Sequence, residues 1–157
     1  MTAEDVLAGR AEVSGRNVVV VGGGVTGLET AETLAPDYHV TVVEMLDKVG
    51  GNLYPSIVMH LAQEIMKTGG AIAKGKALVE VQDGQVCIKD TKTGELSAIP
   101  ADTVILAMGV RPNRPEFEEL TEAFGDDLIL VGDASRTRQI YDALHSGYDR
   151  AFVYKAR

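Results

Sequence analysis

The stretch Asn17-Val-Val-Val-Val-Gly-Gly-Gly-Val-Thr-Gly-Leu-Glu-Thr-Ala31 decides the fold. Its opening apolar run, Asn17 to Val21, suits a strand covered on both faces, as in a parallel sheet. From Thr26 the period becomes helical, with Leu28, Ala31, Leu34 and Ala35 on one stripe. Pro36 ends that helix, because the residue before a proline is pushed out of the α region. Between strand and helix lies Gly22-Gly23-Gly24-Val25-Thr26-Gly27, a G-x-G-x-x-G turn. In such a turn the first glycine bends the chain, the second lets backbone approach a diphosphate, and the third lets the helix pack on the strand. The helix start then offers unpaired N–H groups and a partial positive charge to the phosphates.

Working outward, His39 to Glu44 reads as the next strand, and Glu44 at its end lies 22 residues beyond Gly22. An acid there can accept hydrogen bonds from ribose hydroxyls. It also disfavours a 2′-phosphate: at an effective dielectric of about 20, like charges about 4 Å apart cost up to ~4 kcal/mol per pair. NADH is therefore expected over NADPH, although Lys48 could soften the repulsion. The same turn and acid occur in sites for FAD and, loosely, for S-adenosylmethionine, so the turn alone leaves these alternatives open.

Pro55 suits a helix first turn, with Ile57, Leu61 and Ile65 at helical spacing until Gly69-Gly70. Lys76–Gln82 and Gln85–Lys89 read as strands joined by a tight Asp83-Gly84 hairpin, with Glu95–Ile99 as a third. Thr103–Ala107 is another buried-type strand, followed by a proline-rich loop from Gly109 to Pro115. A short helix near Glu116–Ala123, an apolar strand Leu128–Val131 and a helix from about Thr137 to Tyr154 complete the reading. The expected fold is α/β: a Rossmann-like parallel sheet with helices on its faces plus a three-stranded β-meander.

Composition bounds the partners. The 157 residues are 45% hydrophobic with a formal charge of −8, which favours one globular domain and gives nucleic acid no concentrated positive face. The longest apolar run, Val18 to Val25, falls short of the ~20 residues of a membrane span. Residues 1–15 have neither a basic start nor an apolar core, so no secretory leader and a cytoplasmic, reducing setting are expected. The single Cys87 allows no internal disulfide and no four-cysteine cluster. His39, His60 and His145 have no metal-ligand partner at useful spacing, so no metal site is expected.

The motifs together resemble the nicotinamide half of the pyridine-nucleotide–disulfide oxidoreductase superfamily. There the glycine motif continues Gly-x-Glu-x-Ala, matched by Gly27-Leu-Glu29-Thr-Ala31, and a later strand runs into Gly-x-x-Pro-Asn, matched by Gly109-Val-Arg-Pro112-Asn113. Leu128-Ile-Leu-Val-Gly132-Asp133-Ala134 resembles the second FAD motif, whose Asp bonds the flavin's ribityl chain; in this chain alone Asp133 reads rather as a capping acid at a strand-to-helix turn. The opening Ala3–Val13 and the closing Arg136–Ala151 look like the 2-enoate reductase, 2,4-dienoyl-CoA reductase and trimethylamine dehydrogenase group.

The resemblance implies an NAD(H)-binding domain over residues 1–115 and, over 116–157, a tail like the C-terminal segment of an FAD-binding domain. Candidate contacts are Gly22, Gly23, Gly24, Val25, Thr26 and Gly27, with Glu29 toward the nicotinamide end, Glu44 and its neighbour Met45, Met108 and Gly109, and Gly132 with Asp133 for a flavin. No catalytic residue is implied. The function implied is to position NADH for hydride transfer to FAD, the FAD belonging to the complete enzyme. The missing FAD/FMN domains or a flavin subunit would be partners, and a homodimer is possible. The rival reading is a stand-alone NAD(H)-binding regulatory or sensor module without turnover.

Overall fold

In the computed structural model the described residues are 1–153. The chain divides into two units, Met1–Gly109 and the residues from Val110 onward. In the first, the elements run α1 (Ala3–Leu7), β1 (Asn17–Val21), α2 (Val25–Leu34), β2 (His39–Glu44), α3 (Pro55–Lys67), β3 (Ala71–Lys74), β4 (Lys76–Gln82), β5 (Gln85–Asp90), β6 (Leu96–Pro100) and β7 (Thr103–Leu106). The second holds α4 (Phe117–Phe124), α5 (Gly132–Ser135) and α6 (Ile140–Val153).

Four strands form a sheet in the order β3-β2-β1-β7, and every pairing is parallel. Successive side chains of a strand point to opposite faces, so a strand buried on both sides must be apolar throughout. The β1 valines divide accordingly. Val18 and Val20 join Leu28, Ala31, Leu61 and Ile65 in one core, with α2 and α3 covering that face. Val19 and Val21 join Val86, Ile88 and Ala101 in a second core beneath an antiparallel sheet of order β4-β5-β6. The meander, not further helices, thus closes that face in this unit. Its hairpin pairs Gln82 with Gln85 across the Asp83-Gly84 turn, where Gly84 takes a φ of +73°, the left-handed region that favours glycine.

Several local features differ from the sequence expectation. Ala71–Lys74 pairs with Thr41–Glu44 as the outer strand β3, which Ala-Ile-Ala-Lys does not announce. Ala3–Leu7 is helical because Thr2 caps it: Asp5 N–H donates to Thr2 Oγ1, and the Thr2 hydroxyl donates to Asp5 at 2.6 Å. Ahead of this helix, Thr2 forms a parallel bridge to Leu106 on the outer edge of β7. The third difference is a correction. Leu128–Val131 is not a strand, since a strand needs a ladder partner and none pairs with this segment among the described residues.

Within the second unit, Arg114 donates to the carbonyls of Ala134 and Ser135, and Thr137 Oγ1 donates to Val110 O at 2.9 Å. The last helix begins at Ile140, later than expected, with Asp142 accepting from Gln139 N–H ahead of it. Its expected last residue, Tyr154, lies outside the described residues. Ile140, Leu144, Tyr148 and Phe152 form an exposed apolar stripe on α6. No helix among the described residues is long and apolar enough to cross a membrane.

Candidate dinucleotide-binding site

The site residues meet at the carboxyl ends of β1, β2 and β7, where parallel sheets place ligands. Sheet order explains this. β1 turns into α2 between neighbours β2 and β7, so the glycine turn is flanked by the residues following both strands. Gly22 N–H continues the ladder to Val43 O at 2.8 Å. Gly22 then adopts φ +110°, and a side chain there would strike the Ala107 carbonyl. Gly27 sits over Gly22 so closely that a Cβ would strike the Gly22 carbonyl oxygen. Gly24 differs: it is the cap of α2, and a Cβ there would meet nothing within 4 Å.

That contrast gives each glycine its own reason. Gly22 and Gly27 are small because protein packs against them; Gly24 is small facing open space. Among the described residues the N–H groups of Gly24, Val25, Thr26 and Gly27 have no acceptor, no side chain caps α2, and its first turn carries no acid. Unpaired donors at the positive end of a ten-residue helix fit an anionic diphosphate.

Glu44 ends β2, half-buried, with both carboxylate oxygens occupied by backbone. Oε2 accepts from Gly23 N–H at 2.7 Å and Oε1 from Leu46 N–H at 2.8 Å. A carboxylate has roughly four acceptor positions, so capacity remains for sugar hydroxyls. Gly23 is buried against this arrangement; a Cβ would come within 2.9 Å of Glu44 Cβ and 2.7 Å of Val49 Cγ1.

Met45 and Met108 are both exposed, Met45 directly after Glu44 and Met108 directly after the Ala107 that touches Gly22. Gly109 follows with φ +87° and open space around it. Glu29 projects from α2 as an exposed side chain without a hydrogen-bond partner among the described residues. Gly132 and Asp133 belong to the second unit. There Gly132 N–H donates to Ser146 Oγ at 2.7 Å, and Asp133 Oδ1 accepts from Arg138 N–H at 3.3 Å, in the loop between α5 and α6.

The segment after Glu44 carries a role that the sequence does not reveal beyond Met45 and Lys48. Gly50 N–H donates to Gly23 O at 2.7 Å, and Leu46 O accepts from Gly75 N–H at 3.0 Å. Gly50 takes a φ of +88°, in the left-handed region that favours glycine.

Residues 1–142 match the family described as pyridine nucleotide-disulphide oxidoreductase. The chain is 36% identical over 152 residues to the NADH oxidase of Thermoanaerobacter brockii, covering 96% of this chain and 23% of that protein. It is 29% identical over 182 residues to the metal reductase of Desulforamulus reducens, covering 97% and 27%. Its fold matches 6-hydroxypseudooxynicotine amine oxidase from Pseudomonas geniculata N1 with a TM-score of 0.83 at 21% identity, over 99% of this chain and 24% of that one. The chain therefore spans about a quarter of the length of these relatives. Turn, acid, sheet order and matched length agree: the chain belongs to the pyridine nucleotide-disulphide oxidoreductase family.

Proposed function

We propose that this chain is the NADH-binding portion of a larger flavin-dependent oxidoreductase of the 2-enoate reductase and trimethylamine dehydrogenase type. The observation that carries the reading is the open glycine turn: unpaired N–H groups from Gly24 to Gly27, with Glu44 fixed beside them. Gly22–Gly27 would hold the diphosphate and Glu44 the adenosine ribose, with Met45 beside it. Glu29, Met108 and Gly109 would lie toward the nicotinamide. The bound dinucleotide would supply a hydride to FAD, held largely by parts of the enzyme outside this chain, to which Gly132 and Asp133 would contribute. The protein's share is orientation and electrostatics, and no side chain here acts as acid or base. The similarity to an NADH oxidase and a metal reductase supports the redox assignment, and the short span relative to them supports a portion of a larger enzyme. A reducing, cytoplasmic setting agrees with that role.

Fluorescence titration with NADH and NADPH tests the reading. Saturable NADH binding is expected, with NADPH weaker by about tenfold or more, because its 2′-phosphate would face the Glu44 carboxylate. Glu44→Ser removes both the ribose acceptor and the repelling charge. It should weaken NADH by about tenfold and narrow the NADH-to-NADPH ratio. Absence of a saturable NADH signal, or an unchanged ratio in Glu44→Ser, would overturn the assignment.

A further inference from the structure

Gly23, at the centre of the glycine turn, is held on both sides by one short segment. Its N–H donates to Glu44 Oε2, and its carbonyl, in the next peptide group, accepts from Gly50 N–H at 2.7 Å. Val49 Cγ1 presses on the same residue, leaving no room for a Cβ at Gly23. Gly50 is itself fixed. It is buried, takes φ +88°, and its Cα faces Val58 on α3 so closely that a Cβ would strike Val58 Cγ2. Its carbonyl accepts from Leu53 N–H at 2.9 Å, closing the turn that leads to Pro55.

We infer that Gly50 is a positioning residue for diphosphate binding: with Glu44 it clamps Gly23 through the peptide groups on its two sides, so that the donors of Gly24 to Gly27 are aimed before any ligand arrives. The inference rests on the dinucleotide reading above and assigns Gly50 no contact with the ligand. Fixed donors lose less freedom on binding, which is the general source of gain from preorganisation. The geometry also explains why the acid must stand next to this turn: Glu44 serves the loop as well as the sugar.

The test compares two probes on the full chain, ADP-ribose, which carries the diphosphate, and adenosine, which lacks it. Gly50→Ala pushes the segment off Val58 and moves its N–H from Gly23 O. Expected is about a tenfold loss in ADP-ribose affinity, with adenosine, followed by NMR shifts, changed less than about twofold. A merely structural lesion would weaken both alike. Should Gly50→Ala fail to fold, amide hydrogen exchange on the unaltered, ligand-free chain decides: Gly23 and Gly50 are expected to be protected. If the unaltered chain binds no ADP-ribose, the dinucleotide reading falls and this inference with it. If it binds, but Gly50→Ala binds equally well or loses both probes equally, or if both amides exchange freely without ligand, only the clamp is overturned.

Discussion

A methyl group at Gly27 would strike the carbonyl oxygen of Gly22, and a methyl at Gly22 would strike the carbonyl of Ala107. The helix, the turn and the end of β7 therefore stack with backbone against backbone. Nothing flexible lies there to move aside, since both obstructing atoms are main chain. Gly27→Ala should cost about 1–3 kcal/mol of stability, the usual range for overpacking, read from urea unfolding. NADH affinity should fall with it, because the displaced helix start carries the unpaired donors. Gly24→Ala is the matching control: its Cβ would enter open space, so stability should hold while diphosphate binding weakens. At this scale the sequence was most legible. The places of Gly22, Gly24 and Gly27 between β1 and α2, and of Glu44 at the end of β2, follow from spacing. Gly50 did not, because its partner is a backbone carbonyl that no residue type advertises.

Between elements, the exposed Asp102 ties the start of β1 to the start of β7. One carboxylate oxygen accepts from Arg16 N–H and Asn17 N–H, each at 2.8 Å, and from the Asn17 side-chain amide at 3.1 Å. These donors, first the Asn17 N–H and then that of Arg16, hold its carboxyl below the ordinary aspartate value of 3.8. Asp90 is shifted the same way by Lys76 and by the N–H groups of Thr93 and Lys92. A depressed folded-state value means the stabilisation is complete above pH 3.8 and disappears as pH falls below it, since the unfolded chain then takes up the proton first. Asp102→Asn should accordingly flatten the decline in thermal midpoint below about pH 4 while changing little near neutrality in slope. Element-scale legibility was uneven for physical reasons. β1, β2 and the Asp83-Gly84 hairpin are written in local composition. β3 exists only because β2 offers it an edge, and apolar Leu128–Val131 stays irregular because no strand among the described residues pairs with it.

For the molecule as a whole, every fully buried apolar side chain among the described residues lies before Gly109, the last of them Ile105. Both cores are thus complete within the first unit. A polypeptide of residues 1–109 should unfold in one cooperative transition, and it should retain NADH affinity within about threefold of the full chain. A sloping, uncooperative melt would show that the second unit contributes to the cores after all.

The placement of β7 has a consequence for biosynthesis. β1 is flanked by β2, made shortly after it, and by β7, made only after the meander; the tie between Ser14 and Thr103 already spans 89 positions. While ribosomes extend the chain, the valine ladder of β1 therefore waits with one side bare, a state prone to pairing with a neighbour's strand. Chains stalled or truncated ahead of Thr103 should collect in inclusion bodies, whereas those carrying β7 can seal that seam themselves.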